Sequence, residues 1–152
     1  MSESEFKEEV HFGLENLLRI HQRVQYIASQ DLDKVVRLSA LTYECFGYYN
    51  AVEHLILRFM KYLALEKPVG AFSHRETIRV LERLIDDYAL DIQPKTLETC
   101  IELMAFRHVA TKIYGFLIDE SKLDVIVLKV QNEHFQITNL FEQLLNTVQQ
   151  RK

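Results

Sequence analysis

The chain has 152 residues, 48% of them hydrophobic and 26% charged, which supplies one sizeable core and is too short for two ordinary domains. Lys+Arg 18 against Asp+Glu 22 leaves a formal net charge of −4, so the molecule as a whole does not draw nucleic acid by long-range attraction, and any RNA recognition must be local. Gly 4 and Pro 2 exclude a Gly-rich phosphate cradle and favour a mainly helical chain.

In chain order, the opening MSESEFKEEV is acidic and is not followed by an apolar export segment. No later run is long enough to cross a bilayer, so a soluble cytoplasmic protein is expected. From Phe6 to Ala28 the apolar positions Val10, Leu14, Leu17, Val24 and Ile27 keep one helical face, interrupted modestly by Gly13. Ser29 and Asp31 in SQDLDK offer caps for a long second region that runs to about Leu65. A bend near ECFGYYN is left open there, and Gly47 is the expected site of a close helix crossing. Pro68 and Gly70 punctuate the chain, and Ser73 three residues before Glu76 has the spacing of a capping box for a third helix from about His74 to Tyr88. Pro94 suits the first turn of a fourth helix ending near Gly115, because its missing amide would have had no partner there. After a turn at DESK, Leu123, Ile126, Val130, Ile137, Leu140 and Leu144 mark a last amphipathic helix whose QQRK end is expected to fray. The expectation is an all-α, single-domain antiparallel bundle of four or five principal helices over residues 1–152, with flexible terminal residues and apolar surface to spare for a partner or a homodimer.

Several chemical patterns are set aside. Cys45 and Cys100 lie in apolar surroundings and read as core residues of a reducing compartment rather than as a disulfide, metal ligands or nucleophiles. Glu8 and His11 form one E-x-x-H spacing, but a bundled di-iron site needs a second such unit and further carboxylates. His21, His54, His74 and His134 are scattered and read as satisfied or exposed. No metal or cofactor is expected.

The sharpest signal is ELMAFRHVATKIYGFLID, residues 102–119. Arg107 offers a phosphate a directional pair of hydrogen bonds, and Tyr114 offers a ring and a hydroxyl to position a phosphate or a base. Their seven-residue spacing puts them on one helix face with Thr111 between them, while His108 and Lys112 pair on another side. His108 is the natural titrating group for moving a proton at neutral pH. Plainer readings stand beside these: an ion-pairing Arg107, a packed His108, a solvated Lys112 and a packed Tyr114.

This segment resembles the Arg-x4-His-x-Tyr region of HEPN-family proteins, especially the HepT toxins encoded beside a minimal nucleotidyltransferase. Arg107 matches the family arginine and Tyr114 its tyrosine; Lys112 stands at the histidine position, and His108 at the polar position after the arginine. The resemblance implies a HEPN-like bundle, a toxin of a toxin–antitoxin pair, metal-independent RNA cleavage at a dimer cleft, and a minimal nucleotidyltransferase as antitoxin partner. In that scheme Arg107 and His108 are the catalytic candidates, with Lys112, Tyr114 and Thr111 as substrate-binding or auxiliary residues. Two alternatives remain: a noncatalytic HEPN-like subunit binding a nucleotidyltransferase or nucleotide substrate, and an unrelated helical interaction module.

Overall fold

The computed structural model describes residues 1–112 and 118–151, and its described secondary structure is helical throughout. Five helices follow one another: α1 (Glu3–Ser29), α2 (Lys34–Tyr62), α3 (Ser73–Asp87), α4 (Pro94–Lys112) and α5 (Glu120–Gln150). Three starts are closed by side chains accepting from otherwise orphaned amides: Ser2 from Glu5, Asp33 from Val35, and Asp119 from Ser121 and Lys122. Pro94 opens α4, as its lack of an amide predicts.

Local details differ from the sequence reading. The cap of α2 is Asp33; Ser29 instead ends α1, its hydroxyl donating to the Tyr26 carbonyl. No capping box forms at Ser73, which is already helical, and the residue before it, Phe72, has no side-chain oxygen to accept from the first turn. The second region is one unbroken helix of 29 residues. Its last residue and that of α3 run into Schellman motifs, in which Leu65 N–H bonds Met60 O and Leu90 N–H bonds Ile85 O. Each motif puts an alanine, Ala64 or Ala89, at positive φ where glycine is the usual occupant. The carboxy-terminal turn is tied down: Arg151 lies 4.8 Å over the Tyr88 ring and donates to the Asp87 carbonyl. The expected end of the fourth helix near Gly115 falls outside the described residues.

Side-chain pairs give the helix directions. Phe6 meets Phe59, Gly13 approaches Leu55 and Arg23 bonds Glu44, so residue numbers fall on α2 as they rise on α1 and the two are antiparallel. The Lys95–Glu133 and Lys129–Glu102 pairs make α4 and α5 antiparallel in the same way. Between α2 and α5, Lys34–Glu120, Arg37–Asp124, Tyr48–His134 and Phe59–Phe141 keep a nearly constant offset, so these two run parallel across the bundle. The result is an up-down arrangement of α1, α2, α4 and α5, with the shorter α3 packed against α2 and α4. One apolar core joins all five helices, with Tyr48, Tyr49, Phe59, Leu81, Leu103 and Phe141 sealed from solvent. The close crossing lies at Gly13, whose backbone packs on Leu55, and not at Gly47, where a methyl group would find its nearest neighbour, Ile20, at 4.0 Å. No helix among the described residues is long and apolar enough to cross a membrane.

Candidate functional site

On α4, Phe106 points into the core and Arg107 follows it around the helix, so the guanidinium emerges half-buried at the seam with α2 and α3. Opposite it, Phe46, Tyr49, Asn50 and Glu53 fall at i, i+3, i+4 and i+7 on one stripe of α2. His74, the second residue of α3, closes the third side. Arg107 Nε donates to Asn50 Oδ1 at 2.8 Å, and its Nη1 lies 3.1 Å from His74 Nε2. The guanidinium carbon sits 5.0 Å from the centroid of the Phe46 ring, a seat that fixes its plane. Behind the histidine, His74 Nδ1 is 2.7 Å from Glu53 Oε2.

The partners settle the state of the imidazole. A guanidinium only donates, so Nε2 must accept, and the carboxylate accepts, so Nδ1 must carry the proton. The two contacts fit the Nδ1–H tautomer of His74, held between a carboxylate and a guanidinium. Glu53 is the more enclosed of the pair, with 15% of its side chain exposed against 37% for His74. The Tyr49 phenol lies buried beside them; burial first, then the Glu53 carboxylate, raise its ionisation well above the ordinary tyrosine range, with Arg107 opposing weakly. It stays protonated. The cluster thus combines one oriented guanidinium, one imidazole with a carboxylate behind it, and an amide that holds the guanidinium in place.

The other predicted residues sit apart from this cluster. His108 and Lys112 are exposed, and their side chains make no hydrogen bond or ion pair among the described residues. Thr111, also exposed, turns its hydroxyl back onto the His108 carbonyl at 2.9 Å. Tyr114 lies outside the described residues. What the sequence reading missed is the opposing wall. Asn50 and Glu53 interrupt the apolar stripe of α2 at one-turn spacing, a signal present in the sequence, whereas nothing local in the sequence pairs His74 with Arg107 across 33 positions.

A second histidine cluster occupies the core. His21 and His134 stack at 4.2 Å, and the Tyr48 hydroxyl lies 2.9 Å from His134 Nδ1. Burial, and then the neighbouring His21, push His134 down to about 4, and burial lowers His21 as well. Both rings are neutral packing elements between α1, α2 and α5. Cys45 and Cys100 are fully buried, and burial pushes each thiol up to about 12, which bars a thiolate role. Among the described residues no group of three His, Cys, Asp or Glu side chains is placed to hold a metal.

A family model described as HepT-like protein matches residues 40–148, from early α2 nearly to the end of α5 and therefore including every residue of the Arg107 cluster. The chain belongs to the HepT-like family. No curated protein and no solved structure matches it at a significant level. The HepT-like match supports the HEPN-like bundle read from the sequence and begins after α1, the helix that packs along both α2 and α5. In this HepT-like chain Arg107 has defined partners on two other helices.

Proposed function

We propose that this HepT-like chain is the toxin component of a toxin–antitoxin pair, an endoribonuclease that holds the scissile phosphate of RNA at Arg107 and is neutralised by a minimal nucleotidyltransferase. The observation that carries the reading is the arginine itself. Asn50 takes Nε, His74 takes one Nη1 hydrogen and Phe46 fixes the plane, so the side chain is oriented before any ligand arrives. Of the five guanidinium hydrogens, those on Nη2 and the second on Nη1 have no other partner among the described residues, a fork that matches two phosphate oxygens. A site of this kind needs no basic molecule, which agrees with a formal net charge of −4.

In this reading His108, Thr111 and Lys112 form the edge of α4 that meets substrate or a second copy of the chain, and Tyr114 is an auxiliary substrate contact. An apolar groove of about 450 Å³ beside it, lined by Phe106, Val109, Val125 and Ile126 between α4 and α5, supports a homodimer built on that edge. The test is cleavage of a labelled single-stranded RNA by the purified protein in chelator. The wild type cleaves, R107A loses about 100-fold or more, and added nucleotidyltransferase suppresses the reaction. Absence of cleavage by the wild type, or full cleavage by R107A, overturns the assignment.

One observation favours a second reading. Lys112, matched by the resemblance to the family histidine position, is exposed and carries an amine in place of an imidazole. A noncatalytic subunit using the same Arg107 fork to hold a nucleotide or a nucleotidyltransferase predicts binding of that partner that R107A abolishes, with no RNA cleavage by either protein.

A further inference from the structure

RNA cleavage by internal attack requires a group that takes the proton of the ribose 2′-hydroxyl, and position 112 supplies a lysine. The seam described above holds a better-suited group. His74 Nε2 carries a lone pair and lies 3.1 Å from the Arg107 nitrogen that faces the proposed phosphate. Its other nitrogen is anchored on Glu53 at 2.7 Å, which fixes the tautomer with the basic nitrogen turned toward Arg107. With 37% of its side chain exposed, the ring is reachable, while the mostly covered carboxylate is not a competing ligand for substrate.

We propose that Glu53 and His74 are the acid–base pair of the Arg107 site, His74 as the catalytic proton acceptor and Glu53 as its positioning residue. The inference rests on the cleavage reading above and deepens it. An RNA phosphate that draws the Nη1 hydrogen of Arg107 away from Nε2 frees that lone pair, and the adjoining 2′-hydroxyl comes within its reach. The 2′-oxygen then bonds to phosphorus as its proton passes to His74 Nε2, and the bond from phosphorus to the 5′-oxygen breaks with its electron pair on that oxygen. The departing oxygen takes a proton from water, and the imidazolium returns its own to the hydroxide so formed. The products are a 2′,3′-cyclic phosphate and a 5′-hydroxyl, with no further reactant consumed. Arg107 stabilises the charge that develops on the phosphate oxygens, and the imidazolium is stabilised by the carboxylate behind it.

The charged and titratable groups facing the ring are few. From α2 they are Glu53 and Tyr49, the latter protonated; from α4 there is Arg107; on α3 itself Arg75 turns away to lie 5.6 Å over Phe72. Glu53 and Arg107 thus face the two nitrogens of the ring with opposite charges.

The experiment measures single-turnover cleavage of RNA across pH for the wild type, H74A, E53Q and H108A, with circular dichroism confirming that each variant is folded. H74A is expected to lose about 100-fold or more and to lose the ascending limb of the pH profile. E53Q loses less, about 10-fold, in kcat rather than KM, because the carboxylate no longer anchors Nδ1 and the ring is less well oriented. Nitrogen-15 NMR of the free wild type reads His74 as the neutral Nδ1–H tautomer, a result independent of activity. Full cleavage by H74A with loss in H108A overturns this assignment and leaves the ribonuclease reading intact; an Nε2–H tautomer in the free protein also overturns it. No cleavage by the wild type overturns the ribonuclease reading and this assignment together.

Discussion

Two glycines on facing helices make opposite predictions. Replacing a glycine inside a helix by alanine gains about 1 kcal/mol from restricted backbone freedom in the unfolded chain. At Gly47 little opposes that gain: the new methyl would meet only Ile20 Cδ1, at 4.0 Å, so G47A should stabilise by about 0.5–1 kcal/mol. At Gly13 the methyl would lie 2.6 Å from Leu55 Cδ2 and 2.9 Å from its Cγ, inside the roughly 3.5–4.0 Å of a favourable carbon contact. Leu55 is fully buried, and because its Cγ as well as its Cδ2 must shift, overpacking of about 1–3 kcal/mol outweighs the propensity gain. G13A should therefore destabilise by about 1 kcal/mol, leaving the two variants about 2 kcal/mol apart. Urea unfolding reads this as midpoints on opposite sides of the wild type at unchanged slope. Truncating the obstruction reverses the sign: in an L55A background, G13A becomes stabilising. Equal stabilisation by G13A and G47A, or a G13A effect indifferent to L55A, would refute the close crossing at Gly13.

Stability should fall with acid, because His134 is pushed down to about 4 in the fold against an ordinary value of 6.5. The unfolded chain then binds more protons between those values, so stability is complete above about pH 6.5 and drops by about 2 kcal/mol by about pH 4.5. Denaturation of the wild type and of H134Q at both pH values checks this, since the variant should lack that share of the slope. Y48F deletes the hydroxyl 2.9 Å from His134 Nδ1 and leaves a buried nitrogen unpaired, a loss of about 1–2 kcal/mol in the same assay. A64G and A89G, at alanines with φ of 56° and 49°, should each stabilise by about 0.5–1 kcal/mol by relieving left-handed strain, seen as a higher Tm.

Elements whose signals are local were legible in the sequence. Pro94 opens α4 because an absent amide has the same consequence wherever a helix begins, and the apolar spacing from Leu123 to Leu144 reports its buried face directly. Arg107 was singled out through its motif, though none of its partners was. Features that depend on which helix faces which were not. Gly13 and Gly47 look alike in sequence, and only the antiparallel register of α1 and α2 sets Leu55 against the first. Ser73 has the spacing of a capping box, yet the chain enters α3 one residue earlier, so the box has no cap position to act from. His74 looked ordinary because its partners, Glu53 and Arg107, come from α2 and α4 and meet it only in the folded bundle.

The two cysteines share the seam that holds the guanidinium. Cys45 immediately precedes Phe46 on α2, and Cys100 lies two turns before Arg107 on α4. With each thiol pushed up to about 12 and shut from water, oxidants and alkylating agents reach sulfur only when the core around α2 and α4 opens. An opening that parts these helices also takes Asn50 away from Arg107. The molecule therefore carries its own chemical tell-tale: thiols that resist labelling mark an intact Arg107 cluster, and thiols that react mark a chain in which that cluster has already come apart.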